Sequence, residues 1–313
     1  MLSIETANGV IDHALSLGAD FAEIYVEKNE SNVVSTLSNE VKSVESGINF
    51  GIGLRLVYGT KVLYGYTNKV EIAELQRIAS ELAAKDLRDP VSSSSNYNFG
   101  DVNSGEYLVQ DRHQAGKTLS QNAELESKIA YLLAADRVAR AAGNLISQTR
   151  GSCMQREQTI ELFNSEGLHT GDTRNYIRAV LTAIASDGGE QATGSWNDGG
   201  LMGWEILDGI SAEKTGSEAA RQALANLGAK PCPSGRMPVI IGSGFGGVIF
   251  HEACGHLLET TSVAKKASVF HDQLGEMIAN PVVNAVDDGT MVKEWGSINI
   301  DDEGMATQRT QLI

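Results

Sequence analysis

Between Ser3 and Leu17 the apolar residues Ile4, Ala7, Ile11, Ala14 and Leu15 recur at helical spacing, and Gly18 follows as a C-terminal stop. The pattern predicts an amphipathic surface helix over 3–17. From Phe21 to Asn68 the period changes to short alternating runs broken by Asn, Ser and Gly, with Tyr58-Gly59-Thr60 the clearest hairpin signal. Helical spacing returns over 69–85 through Ile72, Leu75, Ile78, Ala79 and Leu82. The predicted order is helix, antiparallel strands, helix, a small N-terminal module over 1–90.

Residues 89–108 are rich in Ser, Asn and Gly and carry no period, so a linker or exposed loop is expected over 91–110. A middle module over 111–229 follows. It holds a helix at 120–141 with Leu125, Ile129 and Leu132 inward, strand-like stretches over 144–186, and a helix at about 211–227 that stops at Gly228. The stretch "SDGGEQATGSWNDGGLMGW", with six glycines and two tryptophans, reads as a loop, either lining a cavity or lying on the surface. Three prolines in "GAKPCPSGRMP" forbid a continuous helix or central strand, and a last module is expected over 230–313. It ends in an alternating run with no closing helix or cap, which reads as the start of a mostly β module whose remainder lies beyond Ile313. The fold class predicted is α+β, with antiparallel sheets.

Composition narrows the partners. Forty acidic residues against 25 basic ones give a formal charge of −15 over 313 residues, and no Lys/Arg cluster offers a phosphate-binding surface, so direct nucleic-acid binding is not expected. Glu5 and interspersed polar residues near the N-terminus do not fit a signal peptide, and no apolar run is long enough to span a membrane. An odd set of three scattered cysteines suits a reducing compartment, and a cytoplasmic location is expected.

The stretch "VIIGSGFGGVIFHEACGHLLE" carries two chemical signatures. Gly242, Gly244 and Gly247 match the dinucleotide fingerprint G-x-G-x-x-G after an apolar run. That mechanism also needs an acid on the ribose about 20 residues on, and "KKASVF" holds none there. The glycines are read instead as a close helix–strand turn. His251, Glu252 and His256 form H-E-x-x-x-H, one residue longer than the H-E-x-x-H in which two imidazoles hold zinc and the glutamate acts on water. Five steps of a regular α-helix set the imidazoles roughly 140° apart. Convergence on one ion therefore predicts a π-bulged or unwound turn at 253–255, with Gly255 the residue best suited to it. Two unrelated histidines, one half-buried and one on the surface, are the plain alternative.

The motif "HEACGHLLETTSVAK", with "INIDDEG" and "ATQRTQLI" further on, resembles the TldD branch of the TldD/PmbA family, also labelled modulators of DNA gyrase. The likeness is specific over 238–313 and holds for the earlier modules only in their order. It implies a Zn2+-dependent metallopeptidase in which His251 and His256 hold the metal and Glu252 is the general base. It also implies unfolded peptides as substrates, admitted to a chamber enclosed by a homodimer or by a heterodimer with a TldE/PmbA-like subunit. The family's third ligand is a cysteine nearer the C-terminus of a longer chain, expected here beyond residue 313. The alternative reading is a non-catalytic binding or assembly subunit with an incomplete metal site.

Glu259 is read either as the acceptor that orients a ligand imidazole or as a solvent-facing glutamate. Cys254 is read as a small buried residue, Cys153 and Cys232 lie in other modules, and His271 is read as a polar loop residue. His13, His113 and His169 are read as structural or surface residues. The pairs Asp287-Asp288 and Asp301-Asp302 lack the spacing of a calcium loop and are read as turns.

Overall fold

A computed structural model describes residues 2–94, 99–100 and 125–313. The fold is α+β. Helix α1 (Ile4–Ser16) starts where the Ser3 hydroxyl accepts the Thr6 N–H at 3.1 Å and buries Ala7, Val10, Ile11, Ala14 and Leu15. Helix α2 (Ile72–Ala83) buries Leu75, Ile78, Ala79 and Leu82, as their spacing requires. Between the helices run β1 (Phe21–Leu37), β2 (Glu40–Tyr58) and β3 (Lys61–Thr67). The expected hairpin joins β2 to β3 with Gly59 at φ +62°, and a second two-residue turn, Ser38-Asn39, joins β1 to β2 with both residues at positive φ.

Helix α3 (Leu125–Ala141) leads into β4 (Ile146–Asn164), β5 (His169–Ser186), β6 (Gln191–Leu201) and then α4 (Ala212–Asn226). All six strands form one antiparallel sheet in the order β3-β2-β1-β4-β5-β6, joined at its centre by β1 and β4 from Glu23↔Asn164 to Leu37↔Arg150. Alternate residues of β1 put Ala22, Ile24 and Val26 against α1 and α2, and Val34 further along the same face against Leu132 of α3.

The glycine-rich stretch expected to be a loop is largely strand β6. Its glycines admit a helix rather than forming a flexible segment: a Cβ on Gly194 would lie 2.2 Å from the Ala223 nitrogen of α4. Asp287 and Asp288 also depart from expectation, lying in β7 (Val286–Asp288), with the turn beginning at Gly289. Their pairing with β8 (Arg309–Gln311), Asp287 opposite Thr310 and Asp288 opposite Arg309, takes them out of the turn. Asp301 does form one, its Oδ1 accepting the Glu303 and Met305 N–H groups at 2.9 Å, with Gly304 at φ +81°.

The chain divides into two compact units, Met1–Ala229 with Gly289–Thr307, and Lys230–Asp288 with Gln308–Ile313. In the first, the 289–307 segment returns to the sheet. Ile300 packs with Tyr25, Ile160 and Leu162, Trp295 lies 5.2 Å from the Tyr176 ring, and Arg174 bonds the Ile300 carbonyl at 2.6 Å. The second holds short helical turns, the β7–β8 pair and long irregular stretches. Among the described residues no helix is long and apolar enough to cross a membrane.

Candidate metal centre

The chain from Gly247 to Leu258 is continuously helical but not uniform. Helix α5 (Gly247–Phe250) passes into a π-helical turn over His251–Gly255 and then into α6 (His256–Leu258). The His256 N–H reaches the His251 carbonyl, five residues back. This widened turn absorbs the extra residue of H-E-x-x-x-H and returns the second imidazole to the face of the first. The two rings lie 4.2 Å apart, centroid to centroid, inclined at 61°. Gly255 is not the source of the distortion. Its φ of −52° and ψ of −55° suit any L-residue, and a Cβ there would meet the His251 ring at 3.6 Å, an ordinary contact.

His251, Glu252 and His256 each present a ligand atom, all within 4.8 Å of one another, and all three residues are exposed. Glu252 Oε2 stands 3.9 Å from His256 Nε2. On the other side of the His256 ring, Nδ1 lies 2.7 Å from Glu259 Oε1. A carboxylate only accepts, so the short contact assigns the proton to Nδ1 and leaves Nε2 with its lone pair on the Glu252 side. Glu259 thus faces solvent, as in the second of its readings, and also holds the His256 ring through this hydrogen bond, as the first requires. Its hydrogen bond and charge, with a smaller contribution from Glu252, raise the His256 pKa above the ordinary histidine value. Two imidazoles and a carboxylate are a donor set for a first-row divalent metal, and the carboxylate behind one imidazole is the usual outer partner of such a ligand. The residues present fit a metal ion. An open hollow of about 530 Å³ lies beside Glu252, lined by Gly246, Val248, Ile249 and Ala253.

The remaining candidates lie elsewhere. Among the described residues neither Cys254 nor His271 joins the converging donors, and His271 Nδ1 faces the Ser268 carbonyl at 3.0 Å. His13 bonds Ser80 Oγ at 2.9 Å. His169 is buried, stacked 4.2 Å from the Phe163 ring, with Glu161 Oε1 at 3.1 Å from Nε2 and the Gly100 carbonyl at 2.7 Å from Nδ1. Cys153 is fully buried. His113 lies outside the described residues.

Three domain models of one family match in succession: PmbA/TldA metallopeptidase domain 1 over 22–85, the central domain over 119–227 and the C-terminal domain over 234–313. The chain belongs to the PmbA/TldD family. A metalloprotease TldD homolog of Haemophilus influenzae is 31% identical over all of this chain and 64% of its own length. A metalloprotease of Methanocaldococcus jannaschii is 26% identical over all of this chain and 67% of its own. The chain thus spans about two thirds of the length of these PmbA/TldD relatives. Among solved structures, a protein from Bacteroides thetaiotaomicron described as a modulator of DNA gyrase superposes with a TM-score of 0.80 at 17% identity, covering 99% of this chain and 69% of that one. TldE from Thermococcus kodakarensis gives 0.73 at 17% identity, over 98% and 67%. These likenesses agree in fold.

Proposed function

We propose that this PmbA/TldD chain is a zinc-dependent peptidase acting on unfolded peptides or small polypeptides. The observation that carries the reading is the convergence of His251, Glu252 and His256 across a π-helical turn. His251 and His256 hold the ion, and zinc supplies Lewis acidity to the peptide carbonyl and to water. Glu259 fixes the His256 ring through Nδ1 and keeps Nε2 free for coordination. Glu252, adjacent to both rings and open to solvent, receives a proton from the attacking water and delivers it to the leaving amine nitrogen. The hollow lined by Val248 and Ile249 takes an apolar side chain of the substrate.

The relatives' names supply the peptidase class, and the reaction is assigned to a chamber enclosed by a dimer, of two copies or of this chain with a TldE/PmbA-like subunit. The cytoplasm is its setting, where the free thiols of Cys153, Cys232 and Cys254 stay reduced. Glu252→Gln tests the chemistry. Zinc content should persist while hydrolysis of a fluorogenic unfolded peptide falls by about 10²- to 10⁴-fold. Equal rates for wild type and variant would refute the assignment. Zinc binding without hydrolysis by the wild type would favour a binding or assembly subunit.

A further inference from the structure

The residues of β1 that alternate with Ala22, Ile24 and Val26 project from the opposite face of the sheet, away from α1 and α2. The strand register gathers three tyrosines there. Tyr25 from β1 and Tyr66 from β3 stand on either side of Gly53, and the Tyr64 hydroxyl reaches over Gly53, where a Cβ would collide with it. Two residues along, Gly51 faces Glu27 and leaves the floor of the sheet bare: the nearest contact of a Cβ there would be the Thr67 carbonyl oxygen at 3.8 Å. The result is a hollow of about 320 Å³ walled by the three tyrosines, Glu27 and Asn49.

The potential in the hollow is negative. Burial first, then the charges of Asp302 and Glu27, raise the Tyr25 pKa, and burial followed by the charges of Glu27 and Glu23 raises that of Tyr64. Both hydroxyls stay protonated, and their rings present a negative face to a cation. The nearby Arg55 is shared between Glu23 at 2.9 Å and Glu303 at 2.8 Å, which leaves a net negative charge. Arg156 Nη2 stands 3.6 Å from Glu27 Oε1, while its Nε donates to Asn29 Oδ1 at 2.7 Å. The Glu27 carboxylate is thus only partly neutralised.

We propose that the hollow over Gly51 binds an arginine side chain of an extended peptide, the guanidinium lying against the tyrosine rings and turned to Glu27 and the Asn49 amide. A guanidinium is planar and weakly hydrated, stacks on aromatic faces and forks onto a carboxylate, which suits aromatic walls beside an acid better than a compact ammonium does. A free amino acid would bring its own carboxylate into the same negative field. An arginine within a peptide brings none. The site is independent of the metal centre, and its test is made without the metal ligands.

The test is titration calorimetry on the full chain carrying His251→Ala/His256→Ala, so that neither cleavage nor metal ligation contributes. The probe is an acetylated and amidated Gly-Arg-Gly peptide, beside the same peptide with citrulline, which keeps the shape and loses the charge. The arginine peptide should bind at least about 10-fold more tightly. Glu27→Gln should remove most of that difference, and Tyr66→Ala, at a residue 81% exposed, should weaken binding by about 3-fold or more. Gly51→Leu should abolish binding and leave the thermal melt unchanged, since position 51 is regular strand with room for a Cβ. Equal affinity for the two peptides would overturn the choice of a cation. Binding that survives Gly51→Leu would overturn the site, and free arginine binding more tightly than the peptide would overturn the peptide. An arginine peptide that does not bind would overturn the proposal outright.

Discussion

Arg174 on β5 is the clasp of the returning 289–307 segment, and replacing it with methionine keeps the apolar stem while removing every donor. Its side chain is 6% exposed and that of Asp172 5%. The guanidinium reaches Asp172 Oδ2, Gln158 Oε1 and Asp302 Oδ1, each at 3.3 Å, and the Ile300 carbonyl at 2.6 Å. The Asp302 contact is open to water and contributes little. The loss falls on Asp172, left charged and buried with the Asn299 amide at 3.0 Å and the Thr173 N–H at 2.9 Å, and on the Ile300 carbonyl. Breaking one side of a buried pair costs about 3–5 kcal/mol. In a unit of this size that lowers Tm by roughly 10 °C, at about 2–4 °C per kcal/mol. Circular dichroism melting should show the drop, and hydrogen exchange should accelerate at 298–305. Asp172→Asn/Arg174→Met removes the orphaned charge and should recover part of the loss. A Tm change under about 2 °C for the single variant, or a double variant less stable than the single, would refute this reasoning.

Further outcomes follow from other contacts. Glu259→Gln should weaken zinc affinity by about 10- to 100-fold in a chelator competition, since it removes the carboxylate behind His256. Because that carboxylate raises the His256 pKa, metal uptake should be lost as pH falls through the raised value, and the variant should lose it at lower pH; an unchanged midpoint would count against the contact. Gly216→Val should destabilise the protein by several kcal/mol, because a Cβ there meets the Ala135 carbonyl at 2.3 Å, while Gly255→Ala should bind metal as the wild type does; denaturation and metal titration check the pair. Burial pushes the Cys153 thiol up to about 12, so a maleimide should label exposed Cys232 in the native protein and reach Cys153 only on unfolding.

The helices were legible in outline from their spacing: α2 buries Leu75, Ile78, Ala79 and Leu82 of its marked stripe but leaves Ile72 39% exposed, and α3 leaves Leu125, expected inward, exposed at its first turn while burying Lys128 and Asp136. The π-helical turn was legible for a related reason, since two imidazoles five residues apart meet only if the helix widens. Strand β6 was not. Gly194 is glycine because α4 presses on it, and a glycine that admits a neighbour looks like one that frees a loop. The union of the first and middle strands depends on β1 pairing with β4 more than a hundred residues away, which no local pattern records. The return of 289–307 depends likewise on Arg174 meeting Ile300 and Asp302. Glu259 could be named from the motif, but its contact with His256 Nδ1, made by a side chain that still faces solvent, is visible only in the fold.

The most direct test of the account is the metal content of the purified 313-residue chain, measured by plasma mass spectrometry beside His251→Ala/His256→Ala. The wild type should hold close to one zinc per chain, and the double variant should lose it. A wild type without zinc, or a variant that keeps it, would contradict the assignment of His251 and His256 as the residues that hold the metal.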